Sequence, residues 1–152
     1  MNKLKKEVLH CSVRLLARRE HSAKELVQKL ILREFEYIDI EPVIAHLIEK
    51  NYLSDERFAD CVFRYRADKG FGWRYIKAEL TQKGVCSTIT QNLHKSSEID
   101  WYLQAELAYN KRFGNSIIKD QKDKAKRIRF LQYRGYSHEE IMTVVNMAES
   151  TC

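Results

Sequence analysis

The sequence predicts an all-α fold: three tandem three-helix repeats forming an elongated, curved array of right- or left-handed sense. A short phrase occurs three times, as Glu25-Leu26-Val27-Gln28-Lys29-Leu30, Glu79-Leu80-Thr81-Gln82-Lys83-Gly84 and, more loosely, Phe130-Leu131-Gln132-Tyr133-Arg134-Gly135. Its leucines, Leu26, Leu80 and Leu131, are 54 and 51 residues apart. Such a period marks supersecondary units that need a neighbour to bury their apolar faces. Punctuation agrees: Gly70, Gly72, Gly84 and Gly135 fall where helical patterns break, and Gly114 ends another run. No stretch alternates as a strand would; Tyr37-Ile38-Asp39-Ile40 comes nearest and is too short and isolated to pair.

The first helix carries Leu4, Val8, Cys11 and Leu15 on one stripe and ends near Arg18-Arg19. Ser22-Ala23-Lys24-Glu25 has the form of a capping box, and Ala23, Leu26, Val27, Leu30 and Ile31 make the next apolar face. Pro42 fits the first turn of a third helix, where its missing N–H costs nothing. Val43, Ile44, Leu47 and Ile48 would be its buried side, with Asn51 as a left-handed stop. The second repeat opens at Ser54, an N-cap followed by Asp55 and Glu56, and Phe58, Val62 and Tyr65 share a face. Ile76 and Leu80 anchor its middle helix, Gly84 closes it, and a short helix runs from about Ser87 to His94. The third repeat starts near Asp100, with Trp101, Ala105 and Ala108 on one side, and 115–122 is a longer connection. Ala125, Ile128 and Leu131 anchor the following helix. Ser137-His138-Glu139-Glu140 is a second capping box, leading into Ile141, Val144, Val145 and Ala148. The whole chain, 1–152, then reads as one repeat domain with repeats at about 3–53, 54–99 and 100–150.

With 152 residues, 44% hydrophobic and 32% charged, the chain is globular rather than disordered. The net charge of +6 is spread evenly, each third carrying an excess of two cations. That suits a long anionic partner better than a basic tail would. Cys11, Cys61, Cys86 and Cys152 lack zinc-ligand spacing, and Cys11 lies on an apolar stripe. No metal or other cofactor is expected. The opening MNKLKKEVLH is charged and amphipathic, without an apolar signal core, and no apolar run approaches the ~20 residues a membrane span needs. A soluble, reduced, cytoplasmic monomer with no membrane contact is expected.

Catalytic patterns are missing. Gly70-Phe71-Gly72 lacks the third glycine and preceding strand of a phosphate loop, and Ser22 and Ser137 stand beside His21 and His138 as capping groups. The chain reads as a non-enzyme. Candidate binding residues are basic groups on outer helix faces. Lys122, Lys126 and Arg129, with Tyr133, follow i, i+4, i+7 and i+11; Arg74 and Lys77 follow Arg64, Arg66 and Lys69; Lys83 and Arg134 complete the set. In the first repeat Arg14 and Arg18 precede Lys24 and Lys29. Tyr65, Phe71, Trp73, Tyr75, Tyr133 and Tyr136 lie among these charges and could stack on bases or fill partner pockets.

Three segments carry a resemblance. Asn51 to Ala59, NYLSDERFA, resembles the G-Y-L-x-D-x-R-F-A segment of the bacterial recombination regulator RecX family. Arg66 to Val85, RADKGFGWRYIKAELTQKGV, resembles that family's R-x-x-K-G-Y-G-x-x-R-I-x-x-E-L-x-x-K-G-I segment. Arg127 to Tyr136, RIRFLQYRGY, resembles its third-repeat motif. The likeness runs from about Lys5 to Ala148 in order and spacing. Asn51 stands where the family usually has Gly, and Trp73 where it often has Pro, which removes a pre-formed helix start and adds an aromatic expected to be exposed.

The resemblance implies three tandem three-helix repeats and a partner, the RecA filament on single-stranded DNA, whose recombinase, ATPase and co-protease activities are restrained. It implies filament binding along the helical groove, with weak direct DNA binding as a further expectation. The alternative is a direct nucleic-acid-binding module of helix-turn-helix-like units. A sequence reader of that kind should gather Asn, Gln or Arg at one helix N-terminus, whereas here the basic groups are spread along the chain. A purely structural scaffold would show no DNA dependence at all.

Overall fold

Nine helices follow one another, with no strand among the described residues, 2–150 of the computed structural model. They are α1 (Lys3–Arg18), α2 (Ala23–Leu32), α3 (Tyr37–Glu49), α4 (Asp55–Asp68), α5 (Trp73–Gln82), α6 (Ser87–Ser96), α7 (Trp101–Phe113), α8 (Gln121–Arg134) and α9 (His138–Ser150). Cys152 lies outside the described residues. The sequence breaks expected near 53 and 99 fall at helix starts, where the Ser54 hydroxyl accepts from the Arg57 N–H and Asp100 accepts from those of Tyr102 and Leu103. By packing, the chain divides into two compact units, one of Met1–Cys61 with Leu80–Leu93 and another of Val62–Glu79 with His94–Cys152.

In the first unit α3 packs against both α1 and α2. Val8, Leu26, Leu30, Val43 and Leu47 are fully buried there. At the edges of the apolar faces Leu4, Ile31 and Ile48 are about half exposed. The third helix begins five residues before Pro42 rather than at it, with Glu36 as N-cap. Ile40, fully buried, extends the Val43/Ile44/Leu47 stripe one turn upstream, and that burial outweighs the backbone hydrogen bond lost at an exposed proline. Asn51 does take the left-handed conformation, at φ 62°. The first capping box is half formed. Ser22 Oγ accepts from the Glu25 N–H at 3.1 Å, but the Glu25 carboxylate turns to Arg19 and Lys83.

The repeat has a geometric basis one turn away from the phrase that reveals it. The carbonyls of Leu30, Leu80 and Leu131 accept from the N–H groups of Phe35, Val85 and Tyr136 at 3.3, 3.0 and 3.2 Å. Between them Glu34, Gly84 and Gly135 are left-handed, at φ 70°, 81° and 96°. The same C-terminal cap thus closes all three middle helices, and it also ends α3 and α4, where the carbonyls of Leu47 and Arg66 accept from Tyr52 and Phe71 across left-handed Asn51 and Gly70. The structural counterpart of Leu80 and Leu131 is therefore Leu30, not Leu26. Residues i and i+4 share a helix face, and both leucines are fully buried, so the apolar pattern alone does not distinguish the two registers.

In the second unit α9 packs against α7 and α8. Ala105, Tyr109, Leu131, Ile141 and Val145 form its core. The inward residues of α4 here are Phe63 and Ala67, while Tyr65 is exposed. Ser137 and Glu140 complete a reciprocal capping box, each accepting from the other's backbone N–H. Trp73 is half-buried rather than exposed. Its ring stacks on His94 at 4.2 Å and 10°, beside Phe63 and Trp101.

Candidate functional site

Helix α8 presents its charges as the sequence pattern predicts. Leu131 is fully buried and Ala125 and Ile128 are partly so, while Lys122, Lys126, Arg129 and Tyr133 are all exposed, Tyr133 by 79%. The three cations make no ion pair with a described carboxylate, so their field is available to a partner. On α5, Arg74 and Lys77 are exposed beside fully buried Ile76 and Leu80, and Arg64 is exposed on α4.

Arg66 and Arg134 converge on Phe71, while the Lys69 ammonium lies 5.6 Å from the Tyr65 centroid. Arg66 forks onto Glu79, with Nε 2.8 Å from Oε1 and Nη2 3.2 Å from Oε2, and its guanidinium lies over Tyr65, Phe71 and Tyr75. The hydrogen bond to Glu79 raises the Arg66 pKa further. Arg134 donates to the Lys69 carbonyl at 2.9 Å and lies 4.7 Å from the Phe71 centroid. Arg66 and Arg134 thus hold the turn after α4 in place as well as carrying charge. Tyr136 is core: its hydroxyl donates to the Gly70 carbonyl at 2.6 Å, and burial pushes its pKa up.

In the first unit Arg14 and Arg18 are exposed, whereas Arg19, Lys24, Lys29 and Lys83 have partners within the unit. Lys83 and Arg19 both pair with Glu25, at 3.3 and 2.6 Å. Burial alone would raise the Glu25 pKa, but the hydrogen bonds and charges of Arg19 and Lys83 hold it at about 2. Lys29 Nζ lies 2.8 Å from Nε2 of His21, whose Nδ1 faces the Arg19 carbonyl at 3.0 Å. That geometry makes Nδ1–H the donor and Nε2 the acceptor, and burial foremost keeps the ring below its ordinary pKa. Lys24 reaches the Gln82 carbonyl. Lys83 therefore stands apart from the cluster around Phe71.

Sequence reasoning passed over Lys111 and Arg112. Placed in the last turn of α7, they look like ordinary helix-dipole partners, yet with Lys69 and Arg134 they line one groove. Arg127, the first residue of the third-repeat segment, is 3% exposed. It donates to Tyr109 Oη, to the carbonyls of Ser116 and Ile117, to Ser116 Oγ and to Asp123. It organises the 115–120 connection rather than a ligand site. Among the described residues no helix is long and apolar enough to cross a membrane. No group of three or more His, Cys, Asp or Glu there could hold a metal.

These features define a protein of small three-helix units with a charged outer face. Three family models match it, described as the first, second and third three-helix domains of RecX, over residues 9–47, 54–92 and 98–145. The chain belongs to the RecX family of regulatory proteins. It is 43% identical over 130 residues to the regulatory protein RecX of Vibrio parahaemolyticus serotype O3:K6, covering 86% of this chain and 84% of that one. It is 37% identical over 160 residues to that of Serratia proteamaculans, covering 91% and 95%. The crystal structure of RecX from Lactobacillus salivarius shares the fold, with a TM-score of 0.78 at 17% identity over 99% of each chain.

Proposed function

We propose that this chain regulates the recombinase RecA by binding RecA filaments on single-stranded DNA, mainly inhibiting recombinase, ATPase and co-protease activity without catalysis of its own. The observation that carries it is the exposed row Lys122, Lys126 and Arg129 on α8, ion-paired to no described carboxylate, in a chain belonging to a regulatory family. Arg74 and Lys77 extend the candidate surface on α5. Cations spaced one turn apart meet successive phosphates or acidic side chains of a periodic partner. The three repeats, at about 3–53, 54–99 and 100–150, would act together as a cytoplasmic monomer.

The test is capture of RecA by this protein with and without single-stranded DNA, alongside inhibition of RecA's DNA-dependent ATPase. Capture only with DNA present, together with inhibition, supports the reading. Tight binding to naked duplex DNA with no effect on RecA would favour the direct nucleic-acid reader instead.

A further inference from the structure

A groove of about 490 Å³ opens between the end of α4, α7 and α8. That is the size range of pockets that hold ligands, about 300–1,000 Å³. Its walls carry Lys69, Lys111, Arg112 and Arg134 against a single acid, Asp68. None of the four cations is ion-paired to a described carboxylate. Clefts lined by one sign of charge focus its field. The groove also has an apolar wall of Ala108 and Leu107, and Leu107 is 56% exposed, with Leu103 one turn earlier 50% exposed. Leu103, Leu107 and Lys111 fall at i, i+4 and i+8, so an apolar strip on α7 runs up to the first of the cations.

We propose that this groove binds an acidic peptide segment carrying one apolar side chain, seated on Leu107 with flanking carboxylates on Lys111 and Arg112. The alternative occupant, single-stranded nucleic acid, would need an open ring on which a base could stack. The one aromatic in the lining, Phe130, is already taken. The guanidiniums of Arg134 and Arg112 lie 5.2 and 5.6 Å from its centroid, and Phe113 meets it edge-on at 5.4 Å. What remains open is an aliphatic seat ringed by point charges, which fits Leu or Phe between Glu and Asp. The site goes beyond the filament-binding reading, since Lys122, Lys126 and Arg129 line no part of it.

The experiment is fluorescence anisotropy of the full chain with a labelled Glu/Asp decapeptide containing one central Leu. The same peptide with Ser in that place and a labelled decathymidylate serve as comparisons. Lys111→Glu and Leu107→Ser, both at exposed positions, should each weaken binding of the Leu peptide about tenfold, as should Leu→Ser in the peptide, with thermal melts unchanged. On the unsubstituted protein, the Leu peptide should shift the Leu107 methyl and Phe130 ring resonances, so the test stands even if a variant misfolds. Absence of peptide binding, equal binding of both peptides, or full binding by both folded variants overturns the proposal. So does a decathymidylate that binds, and is lost on Lys111→Glu, where the peptide does not.

Discussion

The backbones of Gly72 and Gly135 are in direct contact. The Gly72 N–H donates to the Arg134 carbonyl at 2.6 Å and the Arg74 N–H to that of Gly135 at 3.0 Å. A Cβ on Gly72 would lie 2.5 Å from the Gly135 oxygen, and one on Gly135, where φ is +96°, would strike Tyr75. The start of α5 and the end of α8 dock there without side chains between them. We expect Gly72→Ala to destabilise by about 1–3 kcal/mol through overpacking. Gly135→Ala should cost at least as much, because it adds left-handed strain. Urea melts measure both, and a shift in either below about 0.5 kcal/mol would mean that the contact relaxes freely.

Leu80→Ala should destabilise by about 2–5 kcal/mol, as truncation of a buried Leu does. Leu30→Ala should match it, because Leu30 is both fully buried and the carbonyl partner in the same cap. Leu26→Ala should fall in the same range for burial alone. Denaturant midpoints at constant m-value separate these from changes in the unfolded state.

That equivalence shows how far the sequence could be read. Helix number, caps at Ser54 and Ser137, and the left-handed stop at Asn51 follow from local chemistry, and local chemistry is written in the residues. The register of the first repeat was hidden because Leu26 and Leu30 are one turn apart and equally apolar. The start of α3 was missed because Pro42 is a strong local signal, while Ile40 is buried only by tertiary packing. The outer face of α8 was legible from spacing, but the commitment of Lys83 to Glu25, 58 residues away in sequence, was not. Nor was the gathering of Lys69, Lys111, Arg112 and Arg134 in one groove, since they come from three separate segments.

Glu25→Gln should make stability less dependent on acid. The Glu25 carboxylate has its pKa lowered in the folded chain from the ordinary 4.5 to about 2. A carboxylate lowered on folding contributes stability that is fully present above its unfolded pKa and lost as pH falls through its folded one. The contribution should therefore fade between about pH 5 and pH 2. At pH 7 the substitution should cost about 1–3 kcal/mol, because Arg19 and Lys83 lose their charged acceptor. At pH 2 it should cost much less, as thermal melts at the two pH values would show. An equal loss at both would assign the effect to packing.

Arg127→Lys should loosen the 115–120 connection without moving the core. Lysine keeps the charge but lacks the fork that reaches Tyr109, Ser116, Ile117 and Asp123 together. We expect a loss of about 1–3 kcal/mol and faster amide exchange at the Lys119 N–H, which donates to Asp123. Unchanged exchange there would mean that Asp123 alone holds the loop.

Charge reversal on the outer faces tests the filament surface. Lys126→Glu with Arg129→Glu, and separately Arg74→Glu with Lys77→Glu, alter exposed residues opposite buried Leu131 and Ile76. Circular dichroism should report an intact fold for both. Inhibition of RecA's DNA-dependent ATPase should weaken in each. If these cations contact phosphates directly, each lost contact should reduce the salt slope of binding by about 0.7 on single strands. If they meet acidic protein groups, filament binding should weaken while affinity for naked DNA barely changes. Full inhibition by both folded variants would remove this surface from the interface and leave the family membership untouched, because that rests on the whole chain and not on these four side chains.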